Sequence, residues 1–199
     1  MLKHLFDIIF SFIGLLILSP IFIVISIIIK ITSKGPIFYR GIRTGKNRKP
    51  FKQYKFRTMI KNAENLGGST TALNDPRITK IGRILRKYKI DELPQLINVL
   101  KGQMSLVGPR PELKEHTDLY NDKEKKILSI KPGITDYASI EFASLDKFVG
   151  DKNADEVYAE KIRDKKNQLR IKYVENRSFP RDIKIILQTI LTIFKKTKE

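Results

Sequence analysis

The stretch "LLILSPIFIV", Leu15–Val24, sets a proline in the middle of the most apolar run of the chain. From Ile8 to Ile29 no residue is charged, and Asp7 and Lys30 bracket the run. At ~1.5 Å per residue, roughly 22 helical residues just cover a bilayer core, so length favours a membrane segment. A signal peptide fits less well: the apolar part is too long, and no small-residue cleavage site precedes the basic "KITSKGPIFYRG". Pro20 lacks the N–H that would bond the Leu16 carbonyl and crowds that turn, so a kink is expected near Ser19. The Ser19 hydroxyl can serve a freed carbonyl nearby, which lowers the cost of a bend in lipid. Basic residues flank the run on both sides, Lys3 before it and Lys30, Lys34, Arg40 and Arg43 after it. Such residues stay in the cytoplasm, so both ends are drawn to one face. A helix that enters, breaks at Ser19-Pro20 and returns satisfies length, proline and charge together. A kinked helix that crosses once is the alternative, since prolines are common in membrane helices.

Beyond the run, the 199 residues suit one catalytic unit, which divides the chain into an anchor over 1–33 and a domain over 34–199. Lys and Arg number 39 against 21 Asp and Glu, a net charge of +18, so an anionic partner is implied. Nucleic acid, anionic lipid headgroups and phosphorylated substrates all meet that demand. The absence of cysteine excludes disulfides, thiolate catalysis and Cys-ligated zinc, and His4 and His116 leave little scope for a histidine metal site.

The segment "PIFYRGIRTGKNRKPFKQYKFRTM" reads as a hairpin turning at Gly45-Lys46-Asn47, with Arg43, Lys55 and Arg57 on or beside its strands. By itself this is as well explained by a solvated basic sheet face. The Gly, Ser, Thr, Asn and Pro of "LGGSTTALNDPRITKIG" mark a loop. In "IDELPQLINVLKG", Leu93, Leu96, Ile97 and Leu100 keep helical spacing, Pro94 falls in the first turn and Gly102 can close the helix. Asp91 and Glu92 then sit at a helix entrance, where capping alone accounts for an isolated pair. Their surroundings shift the balance. Arg77, Lys80, Arg83, Arg86 and Lys87 precede them, and "SLVGPRPE" follows with Arg110 stiffened between two prolines. Carboxylates among stiff cations suit a metal-bound diphosphate, with Mg²⁺ on carboxylate oxygens and guanidiniums on phosphate oxygens. Further on, "KPGIT" is a turn, "ASLDKFVGDKNADE" resembles a surface insertion, and Asp155 to about Glu175 is expected to be a solvated helix. The last segment, "RDIKIILQTILTIFKKTKE", is amphipathic, suited to a membrane surface or to core packing.

With "YKFRTM", "DPRITKIGRILRKYKIDELPQLINVLKGQMSLVGPRPE" and "KPGIT" in order behind a Ser-Pro-containing apolar N-terminus, the chain resembles the bacterial sugar transferase family, the monotopic polyprenyl-phosphate phosphoglycosyltransferases. The resemblance covers nearly the whole chain. It implies a mixed α/β monotopic membrane protein: a re-entrant helix-break-helix at Ser19-Pro20, a small basic β-hairpin, and surface amphipathic helices around the active site. The form implied is the minimal catalytic one, with no further membrane helices ahead of the anchor. The implied reaction moves a phosphosugar from a UDP-sugar to a polyprenyl phosphate such as undecaprenyl phosphate, with release of UMP, at the cytoplasmic face of the bacterial inner membrane. Capsule, O-antigen, exopolysaccharide and glycoprotein synthesis all begin with such a step, which makes downstream glycosyltransferases expected partners and nucleic acid not one. The family's dyad falls on Asp91-Glu92. Asp91 is the implied nucleophile and Mg²⁺ ligand, kept ionised by a helix N-terminus, and Glu92 positions metal or phosphate. Arg86 and Arg110 match basic positions of the motif and are the implied phosphate ligands, with Lys55 and Arg57 as second choices. Asp182, after "NRSFP", matches a family acid near the site. The chain departs from the family at Asp136-Tyr137-Ala138-Ser139, where Gly-Trp-Ala-Gln is frequent, at Pro180 and at Gln103; the first of these leaves the sugar open.

Overall fold

The computed structural model describes residues 2–66, 71, 75–144 and 154–197; most of the expected surface insertion, 145–153, lies outside them. The apolar run is one helix, α1 (Leu2–Thr32), long and apolar enough to cross a membrane. It continues through Pro20 where a break between two helices is expected. The local reason is visible: Ser19 Oγ donates to the Leu16 carbonyl at 2.8 Å, taking the partner place that Pro20 leaves empty.

One stripe of α1 is covered by the rest of the chain. Asp7, Ser11, Ile25 and Ile29 are buried, a side chain at Gly14 would meet Leu96, and the Phe22 ring packs edge-on against Phe56 at 5.1 Å. The spacing is helical from end to end, so α1 lies along the domain over its whole length. Near its start, Lys3 donates to Asp182 at 2.6 Å, and Asp7 accepts from Ser105 Oγ at 2.8 Å and from the Leu106 N–H at 3.1 Å. Near its end, Ile25 and Ile29 join Phe56 and Leu85 in a core cluster. The opposite face leaves thirteen large apolar side chains exposed, from Leu2 to Ile31. At ~1.5 kcal/mol or more each, holding that face in water would cost on the order of 20 kcal/mol, so it is built for a non-aqueous neighbour.

Strand β1 (Phe38–Thr44) pairs antiparallel with β2 (Pro50–Phe56) across a turn in which Asn47 and Arg48 take positive φ. Along β2, Phe51, Gln53 and Lys55 share one face by the strand period of two, and the first two are buried. The free edge of β2 is taken by a side chain: Asn98 accepts from the Tyr54 N–H at 2.9 Å and donates to the Lys52 carbonyl at 2.8 Å. Asn98 belongs to α3 (Gln95–Leu100), which Gly102 ends with φ +71°. Before it, α2 (Lys80–Lys87) is capped by Thr79, whose Oγ1 accepts from the Gly82 N–H.

Two short strands, β3 (Ser105–Val107) and β4 (Gly133–Thr135), run parallel. Between them lies α4 (Lys114–Asp118), and after them α5 (Tyr137–Glu141), capped by Asp136. The charged C-terminal stretch forms α6 (Ala154–Val157), a π-helical turn (Tyr158–Ile162) and α7 (Arg163–Asn176). A solvated helix is expected there, yet Tyr158, Ile162, Lys166, Asn167, Arg170 and Tyr173 are buried. On that face Arg170 pairs with Glu112 and the Lys166 ammonium lies over the Tyr158 ring, so a polar sequence packs on remote partners without an apolar stripe. The last helix, α8 (Phe179–Thr197), packs on the core along one side and leaves apolar residues exposed on the other. Ile185 is fully buried beside Val107 and Tyr173, whereas Leu187, Ile190, Leu191 and Phe194 are exposed.

Candidate active site

Asp91 and Glu92 do not cap α3. They lie in a 3-10 turn (Ile90–Glu92), the cap position belongs to Pro94, and no side chain bonds there. Lys89, with φ 57°, turns the chain between α2 and this segment. A left-handed conformation in a residue other than glycine costs of order 1 kcal/mol and persists where its surroundings impose it. With capping set aside, the burial of two adjacent carboxylates, at 6% and 9% exposure, needs another explanation.

Glu92 is fully engaged. Lys55 donates to its Oε1 at 2.9 Å, Arg110 Nη1 to its Oε2 at 2.7 Å, and Arg110 Nη2 completes a bidentate pair with Oε1. Burial alone would raise this carboxyl; Arg110 and Lys55 overcome it and hold Glu92 well below the usual glutamate range. Asp91 is the opposite case. Its Oδ1 is buried with no hydrogen-bond partner, and burial, then the neighbouring Glu92 charge, push its carboxyl up against the pull of Lys55, Arg86 and Lys89. The sequence reading, in which a helix N-terminus keeps Asp91 ionised, is corrected here: Asp91 precedes the α3 cap and gains no N–H from it.

Arg86, at the end of α2, bonds through Nε to Thr58 Oγ1 at 2.9 Å. Its terminal nitrogens have no hydrogen-bond partner among the described residues, and its charge acts on Asp91. The structure thus gathers Asp91, Glu92, Lys55, Arg86 and Arg110. A separate cleft lined by Thr44, Pro111 and Tyr120 shares only Arg110 with this cluster.

Two residues singled out in the sequence lie elsewhere. The Arg57 guanidinium donates to the Ser33 carbonyl and hydroxyl and to the Lys34 carbonyl, at 2.7–2.8 Å, clamping the end of α1. Asp182 accepts from Lys3 at 2.6 Å and from Tyr173 Oη at 2.7 Å, tying the start of α1 to α8. Ser19 and Pro20 face outward on α1. Sequence reasoning missed Lys89, whose left-handed turn carries no motif, and Thr58, one of many threonines. It also missed a buried network on the far side of Arg110, made of Glu112, Asp136 and Arg170. Glu112 stands in the quoted "VGPRPE", but its partner lies 58 positions on, in a stretch that reads as solvated.

Among the described residues no group of three or more His, Asp or Glu side chains forms a ready metal cage. The orphaned Asp91 oxygen still fits Mg²⁺, which takes one or two carboxylates and completes its shell with water and substrate phosphates.

A model of the bacterial sugar transferase family matches residues 1–196. The chain is 38% identical over 189 residues to the uncharacterized sugar transferase EpsL of Bacillus subtilis (strain 168), covering 95% of this chain and 85% of that protein. It is 39% identical over 204 residues to a UDP-glucose:undecaprenyl-phosphate glucose-1-phosphate transferase of Escherichia coli (strain K12), covering 98% and 40%. To a UDP-N-acetylgalactosamine-undecaprenyl-phosphate N-acetylgalactosaminephosphotransferase of Aeromonas hydrophila it is 35% identical over 196 residues, covering 96% and 43%. The chain thus spans less than half the length of these last two relatives. A match over residues 1–196, with the apolar helix, the dyad and its cations inside it, places the chain in the bacterial sugar transferase family.

Proposed function

We propose that the protein transfers a phosphosugar from a UDP-sugar to a polyprenyl phosphate, undecaprenyl phosphate in the bacterial case, at the cytoplasmic face of the inner membrane. The observation that carries this reading is the division of labour in the dyad. Glu92 has its oxygens taken by Lys55 and Arg110, whereas Asp91 keeps a buried oxygen without a hydrogen-bond partner, beside an Arg86 whose terminal nitrogens have no partner among the described residues. Asp91 attacks the sugar-bearing phosphorus: a carboxylate O–P bond forms, the P–O bond to UMP breaks, and UMP departs. An oxygen of the polyprenyl phosphate then attacks the same phosphorus, the bond to Asp91 breaks, and the carboxylate is regenerated. Two displacements on a covalent aspartyl-phosphosugar replace one collision between anions, and ping-pong kinetics follow. Arg86 meets the donor diphosphate, and Glu92 holds Lys55 and Arg110 in place around it. Mg²⁺, held by Asp91 and substrate oxygens, would supply neutralisation of the diphosphate charge.

The same reading makes the anchor monotopic, with α1 continuous through Ser19-Pro20 and both of its ends held at one membrane face. Its support is that Lys3 and Asp7 at one end of α1 and Ile25 and Ile29 at the other pack on the same domain. A straight span would carry one end some 30 Å away, beyond the bilayer. The test is UMP release by detergent-purified protein with Mg²⁺ and undecaprenyl phosphate across a panel of UDP-sugars. Release with one sugar that stops on omitting the lipid supports the reaction and names the donor; silence with every sugar overturns it.

A further inference from the structure

Arg170, on α7, is a fully buried guanidinium outside the dyad cluster. Its Nη1 lies 2.7 Å from Glu112 Oε1, and its Nε lies 3.9 Å from Asp136 Oδ2. Both carboxylates also hold the segment Pro109-Arg110-Pro111-Glu112. Asp136 Oδ2 accepts from the Arg110 backbone N–H at 3.2 Å. Glu112 belongs to the segment itself, and Tyr158 Oη donates to its Oε1 at 2.7 Å. The flanking prolines fix two of the four φ angles, so fastening the Arg110 amide and the Glu112 side chain leaves the backbone little freedom. Without Arg170, both buried carboxylates would lose the guanidinium that lies against them and keep Lys166 as a cation acting on the pair.

We infer that Arg170 is a positioning residue for the transfer reaction: through Glu112 and Asp136 it sets the backbone from which Arg110 grips Glu92 beside Asp91. This rests on the reaction proposed above. A brace that merely held α7 in the fold would act on stability without regard to Arg110, and that difference can be measured.

Arg170→Met alone strands Glu112 and threatens folding, so it is paired with Glu112→Gln, which removes both charges of the closer contact. UMP release is compared for the unaltered full chain, Arg110→Met, the Arg170→Met/Glu112→Gln pair, and all three together, each with its thermal melt. The pair should lower kcat about tenfold with donor KM within about twofold, and in the Arg110→Met background should cost less than about twofold more, because residues acting through one contact are not additive. Equal losses in both backgrounds, or a fall in melting temperature with kcat intact, would overturn the inference and leave the reaction standing. No release by the unaltered chain would overturn both.

Discussion

Asp91 is a buried carboxyl with one unpartnered oxygen, and its ionisation is opposed by burial and by Glu92. For an acid whose folded pKa lies above its unfolded value, the native state binds the extra proton. Stability is therefore lost as pH rises through that interval and stays lost above it. Asp91→Asn removes the charge and keeps the shape, so in metal-free buffer at neutral pH it should melt no lower than the unaltered protein, and higher if the buried charge is strained. The same substitution should abolish UMP release. A marked fall in melting temperature would show Asp91 to be structural, and residual release near the original rate would exclude it as nucleophile. Asp91 and Glu92 stood out in "KIDELPQL" through the cations around them and the family resemblance, and the structure does gather Lys55, Arg86 and Arg110 about the pair. The environment of Asp91 was not legible: whether a carboxylate caps a helix or sits unpaired depends on where the helix begins, and Pro94 moves the cap three residues past Asp91.

The two parallel strands are short, and what joins them is close approach. A methyl on Gly133 would stand 2.0 Å from the Gly108 nitrogen, and Gly133 donates to the Pro109 carbonyl at 3.0 Å. Gly133→Ala should therefore push the segment carrying Arg110 off β4, at about 1–3 kcal/mol of overpacking, read as a lower melting temperature together with lower turnover. Retention of both would mean that the strands separate without cost. Helix α7 carries a second test. Burial first, then Arg170, push the Lys166 ammonium down to about 7 from 10.5, against the pull of Glu112. The unfolded chain then binds more protons between pH ~7 and ~10, so Lys166 makes stability rise with pH across that window. Lys166→Met should remove the rise and melt higher at pH 7, as denaturation at several pH values would show; an unchanged slope would refute it. The hairpin's alternation and the closing glycine of α3 could be read locally from the sequence. The burial of α7 could not, because its face is polar and its partners, Glu112 and Asp136, are remote in the chain.

At the scale of the whole molecule, α1 and the domain form one body with an apolar outer face. Length and the absence of charge made a helix long and apolar enough to cross a membrane legible. The stripe by which it packs on the domain was hidden: Asp7 reads as the boundary of the apolar run and Ser11 and Gly14 carry no signal of their own, yet all three lie on the contact face. The chain contains no cysteine, so single thiols introduced at the exposed ends, Leu2→Cys and Ile31→Cys, each report alone. Packing of both ends on the catalytic domain predicts that an impermeant thiol reagent labels both in sealed inside-out vesicles and neither in right-side-out ones. Labelling of one end from each side would mean that α1 crosses the bilayer, and the contacts of Lys3 with Asp182 and of Asp7 with Ser105 would then have to be broken in the membrane. Pro20→Ala restores an N–H for the Leu16 carbonyl and removes the crowding on that turn. If Pro20 is what lets the helix follow the domain back to the cytoplasmic face, this variant should move one of the two thiols out of reach. If both remain accessible, the fastenings at the two ends, Lys3 on Asp182 and Arg57 on Ser33 and Lys34, hold the anchor to one face without it.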